Sequence, residues 1–520
     1  MRRLASTPRR STRYALAPVA ALAVAVGVVA PASGAPPAGA VGQATATPEP
    51  AATATPEPAA TATEQPTADD GGGATTEPPP TPGEVRPRIA ASTSPLRPVT
   101  AAPVPDRAAV SRQVSDELDS TWLGGTTRRA VAIRDALTGE PLGDRYSSRL
   151  VTPASTTKLL AAAAVVTAIE GDRHFTTRVV AGADPGEVVL VAGGDMLLAD
   201  GDGNPEAVAG HAGIADLAAQ TAASLTGADG QDAPEGPVRV SLDLTYAEGP
   251  DAVPTWLDRW VAEGFAGRVV QLGRSGDRAR PFNPSPRSPE QQVARVFREA
   301  LAEEGVEVAG VGDDDARAPE VEAPPDAREL ASVESAAARD VLALALATSD
   351  NAMVEQLARQ AAVADGEAAD QESVTAWIRQ TMVDDYGLDM TGVRITDASG
   401  LSDGTLIPVA AVADVLVAGA DGSHPRLQEV LAAGGLPIAG YTGTLATRFH
   451  LEVHDPAVGN ARAKTGTLPG VSSLAGTVVT RDGRLLVYAM TADDIDEGSA
   501  AIEAASVLDE VVADLARCGC

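Results

Sequence analysis

The sequence predicts an α+β fold, with helices and short strands sharing a folded part that begins near residue 107. Three observations carry that class. An Ala/Val-rich run from Ser155 to Ile169 is too long and too evenly apolar for a strand and reads as a buried helix. Short apolar runs at 178–181, 187–192 and 238–244, separated by Gly- and Asp-rich turns, read as strands. Val471 to Met490 alternates around Arg481-Asp482-Gly483 as two antiparallel strands, and a closing helix over 499–516 sets Ile502, Ala505, Leu508, Val512 and Leu515 on one face.

The other elements follow in chain order. Arg2, Arg3, Arg9, Arg10 and Arg13 precede an apolar run from Ala15 to Ala30 and small residues through Ala35. That layout marks residues 1–35 as an export signal, a cleaved signal peptide being favoured over a retained membrane anchor because Pro18 interrupts a run already short for a span. Arg9-Arg10 lacks the apolar pair that would follow a twin-arginine signal. Residues 36–106 are rich in Ala, Thr, Pro, Glu and Gly, with a near-repeat at 45–52 and 53–60, and have too few large apolar groups to form a core. The segment is expected to be a disordered linker, either a tether with a reach on the order of 200 Å if fully extended or a passive spacer. Ala108 to Leu118 suggests a helix, and Ala130 to Leu142 a hairpin turning at Thr138-Gly139. A helix spans about 288–303, and an acidic, Pro-containing loop 313–325. Helical pattern resumes near Ser335, breaks at Thr348-Ser349-Asp350 and continues from Asn351 to Val363.

Composition narrows the function. A formal charge of -31 argues against binding nucleic acid, or anionic lipid through the folded body, and leaves an N-terminal anchor as the one route to a membrane. The two cysteines, Cys518 and Cys520, would form a strained ring if paired with each other, so an incidental tail or an intermolecular disulfide is expected. Five histidines at 174, 211, 424, 450 and 454 show no metal-ligand spacing, and no metal or cofactor is called for. A Ser-His-Asp template finds no supporting elbow.

Three strings carry the chemistry: Ser155-Thr-Thr-Lys158, Ser349-Asp-Asn351 and Lys464-Thr-Gly-Thr467. Each alone reads more plainly as a helix cap, a helix break or a strand end. In this order they form the signature of serine β-lactamases and penicillin-binding proteins. Asp397-Ala-Ser-Gly-Leu-Ser402 and the run from Lys464 through Val471-Ser-Ser-Leu-Ala-Gly476 narrow the match. Residues 107–520 resemble the low-molecular-mass, class C penicillin-binding D-alanyl-D-alanine carboxypeptidases/endopeptidases of the S13 peptidase family. The resemblance implies an α/β sandwich of the β-lactamase/transpeptidase-like kind: an antiparallel sheet flanked by helices, an all-helical lobe, and a β-rich insertion between the first and second motifs. Ser155 and Ser349 are 194 positions apart, room for such an insertion at 171–330, with the transpeptidase-like parts at 107–170 and 331–520. The insertion is open to three roles: active-site wall, glycan-docking surface or brace.

Acyl transfer needs a nucleophile, a base, a proton donor for the leaving group and an oxyanion hole. Ser155 at a helix start exposes its hydroxyl, and Lys158 follows on the same face. Lys158 becomes a base only if its pKa drops, through burial and positive potential from the helix N-terminus and Lys464. By resemblance, Ser349 relays a proton to the leaving amine, Asn351 holds the substrate amide or the lysine, and Lys464, Thr465 and Thr467 line the strand that receives the substrate carboxylate. The Ser155 and Thr467 N–H groups would form the oxyanion hole. Gly466 fits a strand that substrate backbone approaches closely, Asp397–Ser402 a structural loop beside the site, and Trp256 and Trp260 packing rather than sugar platforms. The expected function is serine D,D-carboxypeptidase action on peptidoglycan stem peptides by an exported protein, with possible endopeptidase action, and with acylation of Ser155 by β-lactam antibiotics. A β-lactamase is the near rival, but no Glu-x-x-Leu-Asn segment lies between Ser349 and Lys464. A catalytically silent wall-binding protein is the rival from another class.

Overall fold

A computed structural model describes residues 101–226, 235–313, 316–496 and 500–519. The predicted export segment and nearly all of the predicted linker lie outside the described residues. Among the described residues no helix is long and apolar enough to cross a membrane.

Both ends of the folded chain build one five-stranded antiparallel sheet. Its order is Arg462–Leu468, Val471–Val479, Leu485–Ala492, Arg129–Asp135, Pro141–Arg145, so the strand bearing Lys464 lies at one edge. The expected hairpins are both present, with Gly139 and Gly483 supplying the positive φ that their turns require. Alternation assigns the two faces. Val131, Ile133, Leu474, Val478, Leu486, Tyr488 and Met490 join the core under the terminal helix Ala500–Arg517. Ala130, Ala132, Ala475, Val487 and Ala489 face the opposite core, which holds helices Thr157–Ala168 and Val409–Ala418. The second face is mostly alanine, and short side chains there let the helix Val409–Ala418 approach the sheet closely.

Several expected elements are adjusted. The first helix is broken at Val114 into Arg107–Gln113 and Ser115–Leu118. The terminal helix buries Leu508, Val512 and Leu515 of the expected face together with Ala504 and Val511, while Ile502 is 44 % exposed. Cys518 is buried and disulfide-bonded. Cys520, the other cysteine of the expectation, lies outside the described residues.

Between the first two motifs lies a block with its own core. Strands Arg239–Asp243, Glu187–Val191, Thr176–Ala181 and Glu329–Glu334 form a sheet in that order, its first pair parallel. A parallel pair needs a crossover, and the helix Ile214–Thr226, which the sequence reading did not assign, lies in that connection and packs with Pro289–Glu303 on the sheet. The block is thus a mixed αβ layer rather than simply β-rich.

Candidate active site

The nucleophile turn is built before its helix begins. Ala154–Thr156 form a single tight helical turn leading into Thr157–Ala168, and Ala154 holds a φ of 49°, a left-handed conformation that a residue with a Cβ adopts only under constraint. The constraint is visible in the hydrogen bonds. The Pro153 carbonyl accepts from Thr156 Oγ1 at 2.8 Å and from Ser473 Oγ, on the neighbouring sheet strand, at 2.7 Å. The Ala154 carbonyl accepts from Thr157 Oγ1 at 2.8 Å. Ser155 is left partly exposed at the tip.

Lys158 is fully buried, and its Nζ has three neighbours: Ser155 Oγ at 3.0 Å, Asn351 Oδ1 at 2.5 Å and the Ser399 carbonyl at 2.7 Å. The last two can only accept. A neutral amine therefore donates its two hydrogens to Asn351 and Ser399 and turns its lone pair on Ser155. Burial lowers the Lys158 pKa to about 8, against the opposing pull of Asp397, Glu355 and Asp350. Burial, one of the two expected causes, is the one that lowers this lysine, working against three carboxylates.

The second motif sits where two helices meet. Ser349 ends Ala338–Thr348 with a φ of 57°, and Asp350, not Ser349, caps the helix Asn351–Ala364 by accepting from Met353 N. Asn351 donates through Nδ2 to the Phe265 carbonyl at 2.7 Å, which leaves its oxygen facing Lys158. Asp350 takes both forks of Arg278, at 2.5 and 3.0 Å. Phe265 and Arg278 lie between the first two motifs in the chain, so that segment holds the second motif in place.

On the edge strand, buried Lys464 donates to Ser349 Oγ at 2.8 Å and to the Thr465 carbonyl at 2.9 Å. Its pKa falls well below the ordinary lysine value, through burial first and the Lys158 charge second. Thr465 Oγ1 donates to Thr444 Oγ1 at 2.9 Å, and Thr467 is exposed. A Cβ at Gly466 would lie 2.1 Å from Ser473 Oγ, 2.9 Å from the Pro153 carbonyl and 3.0 Å from Ser155 N. The close approach that requires glycine is therefore made by the nucleophile turn and Ser473, before any substrate arrives.

The Asp397–Ser402 loop does more than stand beside the site, since its Ser399 carbonyl touches the lysine. Asp397 is buried and accepts from Gly400 N at 2.6 Å, Ser402 N at 2.8 Å, Ser399 Oγ at 2.9 Å and Leu401 N at 3.1 Å. Trp256 Nε1 also donates to it at 2.9 Å. Trp256 is core, as expected, with this one polar duty.

The second motif thus joins the other two, Asn351 bonding Lys158 and Ser349 bonding Lys464, which is the arrangement of a serine acyl-transfer enzyme. The model of the D-Ala-D-Ala carboxypeptidase 3 (S13) family matches residues 111–272 and 277–515. The chain belongs to that family. As a member it is a serine-type D-alanyl-D-alanine carboxypeptidase. It is 30 % identical over 425 residues to carboxypeptidase DacB of Mycolicibacterium smegmatis, covering 81 % of this chain and 86 % of the relative. It is 29 % identical over 424 residues to the D-alanyl-D-alanine carboxypeptidase of Actinomadura sp. strain R39, covering 68 % and 76 %. The crystal structure of penicillin-binding protein 4 from Haemophilus influenzae superposes with a TM-score of 0.60 at 18 % identity, over 76 % of this chain and 97 % of that one. The shared fold is the expected α+β one.

Proposed function

We propose that Ser155 is the acylated nucleophile and Lys158 the general base of a D,D-carboxypeptidase acting on peptidoglycan stem peptides. The observation that carries this reading is the position of Lys158 Nζ, 3.0 Å from Ser155 Oγ with its two other directions taken by acceptors. Neutral Lys158 takes the Ser155 proton as Oγ attacks the penultimate D-alanyl carbonyl. The tetrahedral oxyanion would lie against the Ser155 and Thr467 N–H groups. Collapse breaks the peptide bond, and the leaving D-alanine amine receives a proton through Ser349, whose hydroxyl is held by Lys464. Water then attacks acyl-Ser155 and releases the shortened peptide.

Lys464, Thr465 and Thr467 along the edge strand would receive the terminal carboxylate. An edge strand offers an extended peptide unpaired backbone groups along its open side, and a carboxylate beside Lys464 would favour its charged form. The insertion acts as a wall of the site, supported by the Phe265 carbonyl on Asn351 and by Arg278 on Asp350. The division into transpeptidase-like parts at 107–170 and 331–520 around an insertion at 171–330 is supported by a sheet drawn from both chain ends and by a separate core between them.

β-Lactams would acylate the same serine; a penicillin-binding protein 4 structure of the same fold has been solved with a novel β-lactam. The arginine-rich, apolar N-terminus supports reading the enzyme as an exported protein of the wall or its membrane face. The test is release of D-alanine from a pentapeptide ending in D-Ala-D-Ala by the full chain, by Ser155→Ala and by Lys158→Met. Release by the parent and loss in both variants is expected; release by Ser155→Ala would overturn the reading. The same chemistry on a cross-linked muropeptide dimer would separate the two peptides, which is endopeptidase action.

A further inference from the structure

Glu355 is 2 % exposed, lies one helical turn beyond Asn351 on the same helix, and touches neither Ser155 nor Lys158 in any hydrogen bond. A buried glutamate without a direct catalytic contact is costly unless its carboxyl is used elsewhere. Its Oε1 accepts from Ser399 N at 2.8 Å and its Oε2 from Ala398 N at 3.2 Å. We propose that Glu355 is a positioning residue for the base: together with Asp397 it clasps the 397–402 loop so that the Ser399 carbonyl is aimed at Lys158 Nζ.

Peptide planarity makes the aim rigid. The Ser399 carbonyl and the Gly400 N–H belong to one trans peptide and point in opposite directions. Asp397 Oδ1 holds that N–H at 2.6 Å, which turns the carbonyl away from Asp397 and toward Lys158 at 2.7 Å. Glu355 holds both N–H groups of the two preceding peptides, so neither can rotate to relax the next. The loop also has no room to slide, because a Cβ at Gly400 would lie 2.0 Å from the Ala154 carbonyl of the nucleophile turn. Two carboxylates on one side and the Ala154 carbonyl on the other thus fix the carbonyl that, with Asn351 Oδ1, leaves the amine lone pair nowhere to point but Ser155. Asn351 and Glu355, four apart on one helix face, fix the two acceptors, the first directly and the second through the loop.

The charges around Glu355 set the sign of a second effect. Asp397 faces it from the loop, Lys158 from the nucleophile helix, and Arg359 from the next turn of its own helix. Burial and the Asp397 charge push the Glu355 carboxyl up to about 7, and its negative form favours protonated Lys158. Replacing it by a neutral amide therefore moves the Lys158 titration to lower pH.

The inference rests on the reading of Lys158 as base, and one experiment separates the two. The second-order rate of acylation by benzylpenicillin is followed by intact mass from pH 5.5 to 10 on the full chain, and on Glu355→Gln and Glu355→Asp, each rate taken per site that is eventually acylated. In the parent, the rate rises through an acid limb near pH 8; a parent rate independent of pH defeats the base reading itself. In Glu355→Gln, whose amide Nε2 cannot accept from an N–H, the high-pH plateau falls at least tenfold and the limb moves to lower pH. In Glu355→Asp, charge is kept and reach is lost, so the plateau falls at least tenfold with the limb unmoved. A role confined to folding would lower the fraction of acylatable sites and leave the rate per site alone. Plateau rates within twofold of the parent in Glu355→Gln overturn the proposal. If that variant does not fold, the same result in Glu355→Asp overturns it.

Discussion

Replacing Gly466 by alanine tests whether the edge strand and the nucleophile turn are one rigid unit. The new Cβ would lie 2.1 Å from Ser473 Oγ, and the hydroxyl can yield only by leaving the Pro153 carbonyl it now holds at 2.7 Å. That loss costs about 1 kcal/mol, because Thr156 Oγ1 still satisfies the carbonyl. The remaining contacts, 2.9 Å to the Pro153 carbonyl and 3.0 Å to Ser155 N, are with backbone and cannot be relieved by a rotamer. Overpacking of that kind costs about 1–3 kcal/mol, so the whole perturbation is roughly 2–4 kcal/mol. Its kinetic effect is larger. Pushing the Ser155 N–H out of the oxyanion hole removes one donor, an effect of about 10²–10³ in rate. Adding Ser473→Ala removes the side-chain clash but not the backbone ones, so the double variant recovers part of the stability and little of the rate. The assay is acylation by benzylpenicillin beside a denaturant unfolding curve. A Gly466→Ala protein acylated within twofold of the parent rate, at the parental unfolding midpoint, would refute the reasoning.

Further outcomes follow from the same geometry. With the folded-state Lys158 pKa lowered to about 8 and the neutral amine as the proposed base, acylation is expected to rise tenfold per pH unit below that value and at pH 7 to run at about a tenth of its plateau; stopped-flow or mass-quench rates across pH check this. Arg278→Gln breaks the forked pair with Asp350 and loosens the insertion's hold on the second motif, so acylation falls about tenfold or more, in line with about 1.5–3 kcal/mol for a charge-assisted bond. Unchanged rates would make that pair surface decoration. Lys464→Met removes the partner of Ser349 Oγ and the cation of the carboxylate end, and kcat/KM for D-alanine release falls at least a hundredfold while the protein still unfolds cooperatively.

How much of this was legible depends on where each partner lies. Ser155 and Lys158 are three apart on one turn, and the Ser349 break and the Lys464 strand are local patterns, so the motifs and the elements that bear them could be read directly. The hairpins at Gly139 and Gly483 were legible for the same reason. The residues that aim the groups were not. Phe265 acts through its carbonyl, which no side chain advertises, and Arg278 reads as one surface arginine among many until the fold brings it to Asp350. Glu355 looks like an exposed helical glutamate in the sequence and is buried only because a distant loop turns two N–H groups onto it. Gly466 reads in the sequence as a position that substrate backbone approaches closely, and the fold adds Ser473 and the nucleophile turn as close neighbours that no local pattern announces. On the terminal helix Leu508, Val512 and Leu515 are buried as the periodicity indicates, while Ile502 near the helix start is exposed and Ala504 and Val511 are buried instead. The helix at 214–226 was missed, its alanines being flanked by the Gly-rich turns that dominated the reading of that block.

The most direct test of the central claim is the intact mass of the full chain after benzylpenicillin, with Ser155→Ala in parallel. A lasting single adduct on the parent and none on the variant is the predicted result. An adduct that survives in Ser155→Ala, or a parent that stays unmodified while the antibiotic remains intact, would contradict it.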